Sequence, residues 1–398
     1  MPRLFYLAAL NFVFLPFRHF LFYGIAAAQD NVTNIGIFSE FASSDAANGM
    51  RCFQGYEIAR HAFAPHHKVG KRFVDFIFGD HNGTAAFGIE RFNHLINRNQ
   101  IVAAVTNRSE AAMAMNAISR LHGIPLVGIA GHPDFLKLNP LAFRAFPSVE
   151  REAPLLARAA ISRRKKTIAI VTLEDEWTSS FEAAFTRAFA RDGGRVVLAE
   201  TVQIREYDFA ALVGRIKEAA PDAILVNVSI LQATLLITTL RRQQVNQQLL
   251  STFWGAFPEV IDGTTRVDLE GLLFVSADYD KPKFLAALLE RFPAARPTAI
   301  EYCCYAGLGM LIRAIEAADS ASGIAAGAAA LNSSEIRKGL EQLRKVELLD
   351  GSITVANREL EFEVSVKIIR GGKVYTVQAE DPGVPAPASL IPEVSAYP

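Results

Sequence analysis

From Thr33 onward, short apolar runs alternate with longer stretches whose apolar positions recur at helical spacing. Ile35–Phe38, Arg72–Phe78, Ile101–Val105 and Ile124–Ile129 read as strands, with helices at Ala46–Ala64, Thr84–Asn97 and Ser109–Leu121 between them. Short strands separated by single helices predict right-handed crossover units, hence a parallel sheet covered on both faces. The rhythm restarts later. Thr167–Thr172, Arg195–Thr201, Ala223–Val228, Leu249–Trp254 and Leu272–Ser276 read as strands, with helices at Trp177–Asp192, Phe209–Ala219 and Leu231–Arg242. The pattern predicts two similar α/β lobes that divide near Pro147–Arg151. Helices at Phe284–Arg291, Ala299–Ala318 and Ser334–Arg344 follow, then a strand-rich segment, Ser352–Val377, with a turn at Gly371-Gly372. Ala379–Pro398 holds five prolines and predicts a disordered tail.

The amino terminus breaks the pattern. Arg3 precedes an uncharged, mostly apolar run, Leu4–Phe17, and Arg18 and His19 separate it from a second, Phe20–Ile25. Neither reaches the ~20 residues that span a bilayer, and Ala26-Ala27-Ala28 offers the small residues that signal peptidase accepts. We expect residues 1–28 to be a cleaved signal peptide and the product to be periplasmic.

Composition narrows the function. Lys plus Arg total 41 and Asp plus Glu total 41, so the basic excess of a nucleic-acid binder is absent. Hydrophobic residues make up 51% of the chain, enough for sizeable cores. The three cysteines, Cys52, Cys303 and Cys304, form no CxxC and no metal-ligand spacing. They read as buried thiols, with Cys303 and Cys304 on different faces of one helix. No GxGxxG opens a helix after a strand, and the chain holds no P-loop, no GxSxG elbow and no HExxH. Glu174-Asp175-Glu176 reads as a solvated loop that places acids at the start of the next helix. Neither cofactor nor metal is expected, and an exported two-lobed α/β chain without catalytic signatures reads as a binding protein rather than an enzyme. Open α/β sheets take ligands outside the carboxyl ends of their strands. Two facing lobes therefore make a cleft that can close on a hinge.

Several segments in order resemble the type I periplasmic binding proteins, in particular the leucine/isoleucine/valine-binding branch. They are Ile35-Gly36-Ile37 with Asn48-Gly49, Gly55 and Glu57-Ile58-Ala59; Phe76–Asp80; Ser109–Ala114 with Gly123–Val127; Phe143–Ser148; Ile168–Val171 with Glu174–Trp177; and Tyr305-Ala306 with Ile315–Ala318. The resemblance implies two Rossmann-like lobes with parallel sheets joined by a three-crossover hinge. Residues 31–147 plus 277–345 would form lobe one, and 148–276 plus 346–378 lobe two. It also implies a monomer that captures a small carboxylate-bearing solute (a branched-chain or hydrophobic amino acid, an amide or an aromatic acid). That solute would pass to the inner-membrane permease of an ATP-binding-cassette importer. A sensing subunit that presents the solute to a signalling receptor is the alternative.

The resemblance also nominates site residues. Ser109 begins a helix, where free backbone N–H groups and a hydroxyl suit a carboxylate; the same hydroxyl could serve as a plain N-cap. Ala130, Gly131 and His132 follow a strand end, and His132, standing where a threonine or serine is commoner, either donates to the solute or sits on the rim. Trp177 matches the aromatic that covers the ligand, but Trp177, Phe181, Phe185 and Phe189 also form a stripe at helical spacing. Asn227 and Ser229 are further second-lobe candidates. The acid that holds an amino acid's ammonium group aligns with Phe253 without gaps and with Glu259 after a shift, and this choice decides the ligand class.

Overall fold

In a computed structural model, residues 31–42, 46–322 and 329–377 are described. The expected signal peptide and proline-rich tail lie outside them. Among the described residues, no helix is long and apolar enough to cross a membrane.

The first sheet is built on β1 (Val32–Ser39), β3 (Arg72–Asp80), β4 (Ala103–Asn107), β5 (Leu126–Ile129) and β6 (Ala142–Arg144), all parallel, with a two-residue antiparallel edge β2 (Lys68–Val69). The helices α1 (Ala46–Phe63), α2 (Ala85–Asn99) and α3 (Ser109–His122) make its crossovers. The chain then enters α4 (Val149–Ser162) and a second sheet. Its parallel strands are β7 (Thr167–Leu173), β8 (Arg195–Val202), β9 (Ala223–Asn227), β10 (Gln248–Ser251) and β11 (Leu273–Ala277). α5 (Glu176–Arg191), α6 (Ala210–Ala219), α7 (Ile230–Arg242) and the short α8 (Pro258–Gly263) connect them. α9 (Pro282–Arg291), α10 (Ala299–Ser322) and α11 (Ser333–Gln342) return the chain to the first sheet. Every residue of β4, β5, β9 and β11 is buried, as strands covered by helices on both faces require.

The carboxyl-terminal strands differ from the sequence expectation, which gave residues 346–378 to the second lobe. β12 (Lys345–Leu348), β13 (Gly351–Ala356) and β14 (Glu359–Leu360) extend the first sheet; only β15 (Val364–Arg370) and β16 (Lys373–Val377) join the second. The anchor is β6, where Glu359 pairs with Arg144 in register and their side chains meet at 3.2 Å. The last crossing therefore falls between Leu360 and Val364. With those after β6 and β11, it makes three passages between the sheets.

α1 and α10 pack closely because Gly55 lies on their contact line. A Cβ there would stand 2.1 Å from the Glu301 carbonyl oxygen, so a larger residue would push the helices apart. This approach brings Cys52 and Cys304 into a disulfide, which corrects the reading of all three cysteines as thiols. Cys303 alone is free and buried, on the other face of α10. Composition could not show the pairing, since 252 residues separate the partners.

Candidate functional site

Between the two sheets lies a cavity of about 150 Å³, the scale of a space that holds a single aromatic ring. It opens where the carboxyl ends of the strands face each other.

The first lobe supplies the polar wall. Glu40 directly follows β1, Asn107 ends β4, and Arg108 and Ser109 begin α3; all four line the cavity. Arg108 holds the N-cap position at φ 64° without a side-chain cap bond, so Ser109 is the first helical residue rather than the cap. The α3 ladder opens with the Ala112 N–H on the Arg108 carbonyl, which leaves the N–H groups of Ser109, Glu110 and Ala111 pointing out of the helix end. Such an end favours an anion.

A buried histidine sets this wall from behind. The Gly83 N–H donates to His81 Nδ1 at 3.0 Å, so the ring proton sits on Nε2, 3.1 Å from Asn107 Oδ1. The Asn107 carbonyl oxygen is thereby committed to His81. Burial lowers the His81 pKa to about 4. The folded protein thus keeps the imidazole neutral where the unfolded chain protonates it. His81 contributes about 3 kcal/mol that is complete above pH 6.5 and is lost as the pH falls towards 4. In urea titrations over this range, a His81→Gln variant should lose less stability with falling pH than the parent; equal slopes would contradict the assignment.

The second lobe supplies most of the aromatic wall, with Asp175, Thr178 and Ser229 beside it. Asp175 caps α5 by accepting from the N–H groups of Trp177 at 2.8 Å and Thr178 at 3.0 Å, as the acidic loop suggested. The cap fixes the Trp177 ring beside the cavity, 5.3 Å from the Phe253 ring and 5.6 Å from Phe181. Trp177 thus belongs both to the aromatic stripe and to the cleft. Phe146, where the chain leaves the first lobe, packs edge-on against Phe253 at 5.4 Å. Gly131 faces Trp177 across the gap. A Cβ at 131 would lie 2.6 Å from the indole Nε1, so any side chain there would collide with the opposite lobe.

Of the residues nominated from sequence, Ser109, Gly131, Trp177, Ser229 and Phe253 come together around the cavity. The other four do not. Ala130 is packed into the apolar core behind it. His132 turns away to accept the Asp134 N–H on Nδ1, and its carbonyl holds Arg144. Asn227 is buried behind the cavity wall and donates to the Thr178 carbonyl. Glu259 is half exposed and accepts Arg51 with both oxygens at 2.7 Å. Phe253 thus lines the cavity, whereas Glu259 is not among the residues that line it. Glu40, Asn107, Phe146 and Phe257 were not nominated. Glu40 and Asn107 could have been, because each sits at the carboxyl end of a first-lobe strand.

The periplasmic binding protein family matches residues 32–361. The chain belongs to this family. No curated protein matches it by sequence. Among solved structures, this periplasmic binding protein is similar to a leucine-binding protein of Thermotoga maritima, at 19% identity and a TM-score of 0.78 over 87% of this chain and 98% of that one. It is similar to a solute-binding protein of an R. palustris ABC transporter in complex with benzoate, at 17% identity and a TM-score of 0.74 over 90% and 98%. It is also similar to the branched-chain amino-acid-binding protein LivJ of Streptococcus pneumoniae in complex with isoleucine, at 18% identity and a TM-score of 0.75 over 87% and 99%. These likenesses support the two-lobed fold with mostly parallel sheets.

Proposed function

We propose that this chain captures a small carboxylate with an aromatic or apolar body in the periplasm and delivers it to the permease of an ATP-binding-cassette importer. The observation that carries the ligand class is Phe253. An amino acid needs a partner for its ammonium group, because an unpaired buried charge is strongly unfavourable. At the second-lobe position considered for that partner stands a phenyl ring, while Glu259 is engaged with Arg51. The solute carboxylate would lie at the start of α3, against the Ser109 hydroxyl and the backbone N–H groups. Its body would lie between Phe146, Trp177 and Phe253. Glu40 offers an acceptor to a hydroxyl substituent the solute carries. The benzoate-bound relative supports this class, and the relatives named for leucine and isoleucine supply the competitor.

Binding would proceed without chemistry. The solute bridges both lobes, binds the closed arrangement better than the open one, and so shifts the population towards it. Export fits the Cys52–Cys304 disulfide, since such bonds persist in oxidising compartments.

A thermal-shift screen of benzoate, hydroxybenzoates, leucine and amides tests the proposal. A solute at 100 times its dissociation constant should add about 2.7 kcal/mol of stability, and we expect the aromatic acids to give the largest shift. Ser109→Ala should weaken that solute about tenfold, the scale of one lost hydrogen bond to a charged group. An unchanged affinity would move the carboxylate away from α3.

A further inference from the structure

We infer that α8 is an interlobe clasp, in which Glu259 and Asp262 of the second lobe hold Arg51 and Arg296 of the first and bias the protein towards its closed form. The inference rests on the proposed closing of the two lobes, but not on which solute they hold.

The geometry is that of a lock placed beside the cavity. Arg51 projects from α1, and its Nη2 lies 2.7 Å from both carboxylate oxygens of Glu259. Its guanidinium also stacks on the Phe257 ring, with Cζ 4.5 Å from the centroid. Phe257 lines the cavity, as does Asn48, one turn before Arg51 on α1. One cation thus grips an acid and an aromatic of the opposite lobe at the wall of the solute site. Six residues make up α8, and a second of its acids, Asp262, pairs with Arg296 in the segment between α9 and α10. Two acids one turn apart on one short helix therefore reach two arginines of the other lobe.

A clasp must also open. The Arg51 side chain is 9% exposed, so losing Glu259 would strand a buried charge if nothing else faced it. Glu301, on α10 of the same lobe, stands 3.7 Å from Arg51 Nε and stays with it whatever the second lobe does. Arg51 is thereby shared between a fixed partner inside its own lobe and a movable one across the gap. That arrangement makes the closed form favourable without making it permanent. The Glu259 side chain is 41% exposed, so the movable half of the clasp is open to screening by salt.

Apparent affinity is the intrinsic affinity reduced by the fraction of protein in the competent form. Breaking the clasp should therefore weaken solute binding by about three- to tenfold through the closed population alone, with no contact to the solute removed. The experiment compares the parent with Glu259→Gln/Asp262→Asn by small-angle X-ray scattering without ligand, at low and high salt, and by calorimetric titration with benzoate. Glu259→Asp, which keeps the charge on a shorter arm, serves as the conservative variant. We expect the ligand-free parent to be compact at low salt and to expand at high salt. The double variant should be expanded at both, with an unfolding midpoint close to the parent's, and Glu259→Asp should fall between. If the parent shows this behaviour but binds no benzoate, the clasp is upheld and the ligand class fails. Identical radii of gyration for parent and double variant at both salt concentrations would overturn the clasp.

Discussion

Trp177→Ala is expected to weaken solute binding about a hundredfold, the loss typical of a central aromatic anchor. The indole is one of the second lobe's contacts across the gap. It lies against Gly131 so closely that a Cβ there would stand 2.6 Å from its Nε1, and it rests on Phe253 and Phe181. Removing it deletes part of the cavity wall and one of the surfaces on which the lobes meet. Trp177→Phe should recover most of the affinity, since a phenyl ring can still pack against Phe253. Calorimetric titration with the best solute of the screen reads both variants. An affinity unchanged in Trp177→Ala would mean that the solute lies elsewhere.

The second large effect concerns stability. Joining residues 252 positions apart removes much of the freedom of the unfolded chain. By the chain-entropy relation, the Cys52–Cys304 bond is worth about 5 kcal/mol. Cys52→Ser/Cys304→Ser, or reduction of the parent, should lower the urea midpoint accordingly. Cys52 also lines the cavity, so the reduced protein should bind its solute less tightly. Thiol titration of the denatured, unreduced chain gives an independent check. One reactive thiol, Cys303, is expected before reduction and three after it. Three before reduction would contradict the pairing.

Much of the fold was legible because parallel strands are short, apolar and separated by helices. Thr167–Thr172 became β7 with one residue added, and the helix expected at Ala46–Ala64 ends one residue earlier. What escaped the pattern has physical reasons. β6 has three residues, too few to show a period. α4 carries Pro154 in its interior, where proline usually ends a helix. β12 to β14 were placed with the wrong sheet because their partner, β6, had itself gone unseen.

The site was legible to the extent that strand ends and helix starts were. Ser109 and Trp177 open helices directly after strands, and both line the cavity. Asn227 also ends a strand, yet it faces the Thr178 carbonyl rather than the gap. Alternation along a strand fixes which face a residue points to, but a strand's last residue can serve the sheet or the ligand. Glu259 pairs with Arg51, 208 residues away in sequence, a pairing no local pattern reveals.

The most direct test of the proposed capture is a calorimetric titration of the oxidised chain with benzoate, run beside leucine. A saturable heat at one benzoate per chain, abolished or strongly weakened in Trp177→Ala and far smaller with leucine, is the predicted result. Saturable binding of leucine with no heat from benzoate would contradict the reading of Phe253 and return the site to an amino acid.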